Sequence, residues 1–448
     1  MFVDHKPFVD FPVFYPFFLS IISWITGLKP YDSGPIVNGC LFFFIVFISG
    51  YITERFTDNK PAKWVVLLSV MLSAPLQYAY AFLWSETVFI CLLLMFFLAF
   101  RSYSRNHLMS ALLLSALLAG LGSITRYAGI TMIVTGVVLI LIDRYLNLRT
   151  KILHLIYFGI GSCLLLTGNL IRNYFLTNTH FGSREPAIAT FKDNILLFGS
   201  TIYDWLLLPV HMHYSMALPV GCMLLAGIAI LIVFRLFVEK VKLDYPEICA
   251  TFFVVYSCFM IITASISRFE TLNSRLFSPL FIPLIMIFVF LGVFFVNRFN
   301  SKGIKALAFL VIIVPAFVFN FYQYQTFKVN KEIVNADGIP GFSDLHWKNS
   351  QLGTFLRMHP NYFEKNVPIY SDNNEASFFF SGKACQILPH KLSANEKMKF
   401  SNNKTFYVVW FDELASRELI SSAEIEKGRI VKNMETLEDG TIFLYSKD

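Results

Sequence analysis

Residues 274–296 read SRLFSPLFIPLIMIFVFLGVFFV, and no charged side chain follows Arg275 in this stretch. At 1.5 Å per residue, roughly 20 apolar residues cross a hydrocarbon layer about 30 Å thick. The run 277–296 is therefore read as a membrane-spanning helix, with Arg275 alone at its lip. An arginine in that place is costly if it faces lipid, so it faces protein, a water-filled cavity or headgroups.

Working outward, similar runs lie at 36–53, 64–84, 88–100, 108–125, 130–142, 152–171, 216–234, 250–265 and 304–322, which gives about ten spans. The composition agrees: of 448 residues 56% are hydrophobic, 15% are charged and 49 are phenylalanine, more than a soluble core of this length needs. The formal charge of +7 is not spread evenly. Lys and Arg gather in the connections 54–63, 101–107, 144–151, 235–242 and 298–302, after every second span, so these loops mark the cytoplasmic side. The remaining connections, 1–35, 85–86, 126–127, 172–214 and 267–274, together with everything after 327, are then outside. Residues 11–25, FPVFYPFFLSIISWI, are apolar enough to span marginally, but two prolines among aromatics suit an interfacial helix better.

From about residue 328 the composition turns polar. Runs 367–371, 405–411 and 441–445 read as strands, and 350–357, 374–380 and 413–427 as helices, with Ser371 or Asp372 able to cap the second of these. Strands alternating with helices predict a small α/β domain. The expected fold is thus an all-α polytopic transmembrane bundle with interfacial helices over 1–327, followed by a soluble extracytoplasmic α/β domain over 328–448.

The outer side carries Asp4, Asp10, Glu86, Arg126, Arg172, Arg184, Glu185, Arg268, Glu270 and Arg275. Arginine presents a planar fork of donors that matches phosphate oxygens, so several arginines at one membrane face point to a phosphate-bearing lipid. A carboxylate beside them can serve as general base toward an acceptor hydroxyl. Singly, Arg126 or Arg275 is read as well by snorkelling to headgroups, and Glu86 by pairing with either. The pattern of the whole set carries the reading. No phosphate-cradling Gly-rich loop and no basic stripe is present, so nucleotides and nucleic acid are not expected as partners. His211 and His213 read as interfacial packing rather than metal ligands, and the seven cysteines show neither a disulfide framework nor metal spacing.

Several local patterns, in order, resemble the polytopic lipid-linked-sugar glycosyltransferases of the GT-C type, the group that includes protein O-mannosyltransferases and the aminoarabinose transferases of lipid A. They are Tyr15-Pro16, Asn38 at the opening of a span, Ser85-Glu86-Thr87-Val88-Phe89, and Thr125-Arg126-Tyr127-Ala128-Gly129. Further on come Arg172-Asn173 with Gly182-Ser183-Arg184, then Ser274-Arg275-Leu276-Phe277-Ser278-Pro279, and Tyr370-Ser371-Asp372-Asn373 at the start of the tail domain.

The resemblance implies an inverting transfer of a sugar from a polyprenyl-phosphate carrier to a glycan, lipid or protein acceptor on the outer face, in the bacterial plasma (inner) membrane. It implies Asp10 and Asp4 as catalytic acids of the first outer loop. Glu86, Arg126, Tyr127, Arg172, Asn173, Arg184, Arg268, Glu270 and Arg275 are the expected substrate-binding residues, with Arg126, Arg172, Arg184 and Arg275 on phosphate. No cofactor follows from the residues, although some relatives use a divalent cation with their acidic motif. Family members begin with a span that ends in that motif, and this sequence starts after it. Three expectations stay open: an upstream segment supplies the acid, Asp4 and Asp10 replace it, or transfer activity is lacking. Readings of another class are a transporter or flippase of a lipid-linked saccharide and an inactive scaffold of the same fold.

Overall fold

The computed structural model describes residues 2–3, 6–7, 9, 11–182, 186–268, 270–339, 341–342, 344–411 and 418–447. Asp4, Asp10 and Arg184, three of the predicted site residues, lie outside the described residues. Two compact units are present, 9–330 and 331–448 together with 1–8.

The first unit is helical. After α1 (Phe14–Thr26) come α2 (Pro30–Phe56), α3 (Lys60–Met71), α4 (Ala74–Ala81), α5 (Glu86–Asn106), α6 (Met109–Thr125), α7 (Ile130–Ile142) and α8 (Leu148–Thr177). Then follow α9 (Phe191–Trp205), α10 (His213–Val233), α11 (Tyr245–Ile266), the single turn α12 (Ser274–Phe277), α13 (Phe281–Asn297) and α14 (Lys302–Asp337). Among the described residues seven helices are long and apolar enough to cross a membrane, and the pair α3 and α4, bent by 42°, adds an eighth when the two are taken as one span. Pro75 explains the bend: it cannot donate to the preceding turn, and Ser73 caps the new helix by accepting from Leu76 N at 3.3 Å. The other two expected spans correspond to the shorter apolar helices α6 and α7. The chain is an integral, multi-pass membrane protein.

Helix α1, thirteen residues and about 20 Å long, is a shorter apolar helix as well. One segment was misread: 172–214 is not an open loop, since it contains α9. This helix starts at a reciprocal capping box between Thr190 and Asp193 and buries Phe198, Ile202 and Trp205 against α10 and α11.

The basic loops meet at one end of the helical unit. Arg101 donates to Asp244 and to the Arg55 carbonyl, Arg144 to the Leu236 carbonyl, and Lys63 pairs with Glu54. At the opposite end, Trp205 Nε1 donates to Ser274 Oγ at 2.8 Å and Asn194 to Ser265 at 2.9 Å, tying α9 to the lips of α11 and α12.

In the second unit the strands β3 (Ile369–Ser371), β4 (Gln386–Ile387), β5 (Thr405–Phe411), β6 (Ile430–Leu437) and β7 (Gly440–Ser446) follow a two-residue pair, β1 (Phe2–Val3) and β2 (Lys6–Pro7). The sheet order is β4-β3-β5-β7-β6, with β3 parallel to β4 and β5 and the β5, β7 and β6 ladder antiparallel. Alternation along β5 sends Tyr407, Val409 and Phe411 to one core and Phe406 and Val408 to the other. Helices α15 (Leu345–Asn349), α16 (Gln351–Met358) and α17 (Asn374–Ser381) cover the first face; α18 (Ala394–Ser401) and α19 (Ser422–Ile425) cover the second. Two readings need correction. The cap of α17 is Asn373, whose Oδ1 accepts from Ala376 N at 2.9 Å, because Ser371 ends the strand and Asp372 bonds Phe411 instead. The expected helix 413–427 is helical only at α19 among its described residues.

Candidate functional site

Three charged residues that the sequence separates by 40 and 149 positions converge at the end of the bundle opposite the basic loops. Glu86 is the first residue of α5, Arg126 ends α6, and Arg275 lies in the turn before α13. Both arginines reach the same carboxylate oxygen: Arg126 Nη1 pairs with Glu86 Oε1, and Arg275 Nε donates to it at 2.8 Å. The side chain of Glu86 has no exposed surface, so the ionised carboxylate depends on these two cations to offset the loss of water. Its second oxygen, Oε2, is buried and has no hydrogen-bond partner among the described residues. An orphaned carboxylate oxygen beside two arginines is costly, and structures retain such groups chiefly where they act.

Local backbone explains how Arg126 points inward. The chain leaves α6 at Arg126 in extended conformation, makes a single 3-10 turn at Tyr127–Gly129 and enters α7 at Ile130, with Gly129 N donating to the Arg126 carbonyl at 2.8 Å. A Cβ on Gly129 would stand 2.2 Å from the Gly122 backbone, so the tight corner requires glycine there.

Arg275 is held from three directions. Its guanidinium carbon lies 3.8 Å above the Trp84 ring, its Nε meets Glu86, and its Nη1 meets Glu270 Oε2 at 3.0 Å. Trp84 stacks on Phe82 with centroids 4.3 Å apart, and Asn38 donates to the carbonyls of Tyr80 and Phe82 at 2.9 and 2.7 Å, fixing the loop that presents the indole. Asn273 donates to Glu270 at 2.8 Å and caps α12 through Leu276 N, while Tyr256 donates to the Leu276 carbonyl at 2.8 Å. Arg268 is half-buried in the same connection, next to the Pro186–Ser267 bridge.

A second group of predicted residues meets alongside. Asn173 is buried, donates to the Tyr127 hydroxyl at 3.1 Å and to the His180 carbonyl at 3.0 Å, and accepts from Arg172 at 3.1 Å. Tyr127 in turn donates to the Val9 carbonyl at 3.4 Å and packs edge-on against Phe181. The sequence reading missed Trp84, Asn273 and Asn38 as parts of the site. The signals were present in the aromatic run Tyr78 to Trp84 just before Ser85-Glu86, and in an asparagine three residues ahead of Leu276.

An apolar cavity of about 270 Å³ opens between α3, the end of α9, α13 and α14, lined by Ser69, Trp205, Phe281, Phe288, Gly292 and Phe319 among others; Trp205 links it to Ser274, next to Arg275. Polar contacts tie α14 to α3 and α4, Ser69 to Asn320 at 3.2 Å and Ala74 N to Gln323 at 3.4 Å, and α14 is otherwise little buried. Among the described residues no three His, Cys, Asp or Glu side chains converge on one point. The described carboxylates of the site, Glu86 and Glu270, are engaged by arginines. His213 pairs with Asp204 at 3.2 Å and packs on Tyr203.

No protein-family model and no curated protein matches the chain. Among solved structures, the crystal structure of ArnT from Cupriavidus metallidurans in the apo state superposes with a TM-score of 0.52 at 11% identity, over 98% of this chain and 88% of that one. ArnT from the same organism bound to undecaprenyl phosphate gives 0.49 at 11% identity, over 98% and 89%. The chain has the fold of ArnT, the GT-C type of fold that the sequence motifs resemble.

Proposed function

We propose that this protein transfers a sugar from a polyprenyl-phosphate carrier to an acceptor at the membrane face where Glu86, Arg126 and Arg275 meet. The observation that carries the reading is the convergence of two arginines on one buried carboxylate oxygen, with an apolar cavity nearby. Trp205 and Phe281 line that cavity, and Trp205 is bonded to Ser274, the chain neighbour of Arg275. A ligand with a long hydrocarbon tail and a phosphate head matches this pairing of surfaces.

In the proposed reaction the acceptor oxygen attacks the anomeric carbon from the face opposite the phosphate, and the bond from that carbon to the phosphate oxygen breaks. Charge builds on the departing phosphate, where Arg275 and Arg126 stabilise it. Donors fixed in advance at the position where charge develops contribute most of such an effect. The acceptor proton passes to a carboxylate, for which Asp10 is proposed and Asp4 is the alternative; the carbonyl of Val9, next to Asp10 in the chain, accepts from Tyr127 in the adjacent cluster. The clustering of Lys and Arg in the opposite loops supports a reading in which this face, and the acceptor, lie outside the plasma membrane.

The test is transfer from a radiolabelled polyprenyl-phosphate sugar by the reconstituted chain. Activity lost in Arg275→Ala and in Asp10→Asn supports the assignment. Full activity in Arg275→Ala overturns it.

A further inference from the structure

We propose, resting on the donor-phosphate reading above, that Glu270 is a placeholder: it occupies on Arg275 the position that the donor phosphate takes, and leaves when the donor binds. The two carboxylates on Arg275 differ in kind. Glu86 has no exposed surface and is locked by two arginines, whereas the Glu270 side chain is 48% exposed and sits in a connection without helix or strand. Its contacts are Arg275 Nη1 at 3.0 Å and Asn273 Nδ2 at 2.8 Å, both at exposed atoms. Ion pairs of that kind contribute little in water and exchange readily.

Charge decides which carboxylate moves. Glu86, Arg126, Arg275 and Glu270 sum to zero, so an added phosphate anion meets a neutral cluster and a like charge on the same guanidinium. Withdrawing Glu270 leaves a net single positive charge, which matches the single negative charge of a phosphodiester. The vacated positions are the Arg275 Nη1 donor and the Asn273 amide, and Asn273 stays in place because its Oδ1 caps α12 at Leu276 N. Arg275 keeps its direction during the exchange because Trp84, stacked on Phe82 with Tyr78 edge-on at 5.3 Å, covers one face of the guanidinium. After transfer, Glu270 returns to Arg275 and competes with the product phosphate, which favours release.

The experiment is a titration of the full chain in nanodiscs with undecaprenyl phosphate, and with undecaprenol as the phosphate-free control. Glu270→Gln is expected to bind the phosphate about tenfold more tightly than the unaltered chain, the effect of removing one like charge from a close pair. Undecaprenol binding stays unchanged, and Glu270→Asp restores the original affinity. Equal or weaker phosphate binding by Glu270→Gln, with Arg275→Ala still weakened, overturns the placeholder and leaves the phosphate site standing. Equal binding by Arg275→Ala and the unaltered chain overturns both.

Discussion

Both ends of the helical unit hold arginines against carboxylates, and they use them differently. At the end with the basic loops, Asp244 and Glu247 have both carboxylate oxygens occupied. Asp244 Oδ1 takes Arg101 Nε at 2.6 Å and Tyr245 N at 2.8 Å, and Oδ2 takes Arg105 at 2.5 Å. Glu247 Oε1 takes Arg235 at 2.6 Å, and Oε2 closes the capping box of α11 on Asp244 N at 3.0 Å. These groups join helix ends and leave nothing to offer. At the other end, Glu86 takes two arginines on one oxygen and has the other bare, and Arg275 is shared with an exposed carboxylate. Saturated networks hold helices together; an unsaturated one has a charge still to be met, which fits the proposed role of the second end.

Stability alone does not separate the ends. Glu86→Ala and Glu247→Ala each leave buried arginine charge uncompensated and are expected to cost roughly 3–5 kcal/mol, read as lowered unfolding temperature in detergent. Function separates them. Arg275→Ala, with its side chain at the partly open lip, is expected to keep the fold and to lower the rate of sugar transfer roughly 10²–10³-fold, the loss typical of one donor to a developing anion.

Asp372 in the α/β unit sharpens the contrast, because one of its oxygens has no partner among the described residues and no arginine pairs with it there. Its Oδ1 accepts from Phe411 N at 3.0 Å, while Oδ2 is buried without a partner. Burial therefore raises its pKa to about 6, against the partial offset of that backbone hydrogen bond. The folded unit binds a proton that the unfolded chain, near 3.8, has already lost, so stability falls as pH rises from about 4 to about 6. The drop is at most about 3 kcal/mol, and Asp372→Asn should flatten it in thermal melts across that range.

The smallest effect concerns the loop under Arg275. Asn38→Ala removes both donors to the Tyr80 and Phe82 carbonyls and is expected to cost about 1–3 kcal/mol. It should also loosen the Trp84 stack, read as a shift in tryptophan fluorescence.

Much of this was legible in the sequence, for physical reasons that differ by residue. The spans show because lipid admits only long apolar helices, and Glu86, Arg126 and Arg275 show because a lone charge at the lip of such a helix needs a cause. Helix α9 escaped because its 15 residues include Lys192, Asp193 and Asp204, so it has no membrane-length apolar run; its Thr190 and Asp193 capping pair was the readable sign. Trp84 escaped because an aromatic residue at a membrane boundary already has an explanation as a belt anchor. The sharing of one Glu86 oxygen, and the role of Asn273 between Glu270 and α12, depend on packing that spacing cannot reveal.

The most direct test compares the two ends by one quantity, the rise in unfolding temperature on adding undecaprenyl phosphate, since a ligand that binds only the folded state stabilises it. The account predicts a clear rise for the unaltered chain and for Glu247→Gln, and little or none for Arg275→Ala. An equal rise in Arg275→Ala, or its loss in Glu247→Gln alone, would contradict it.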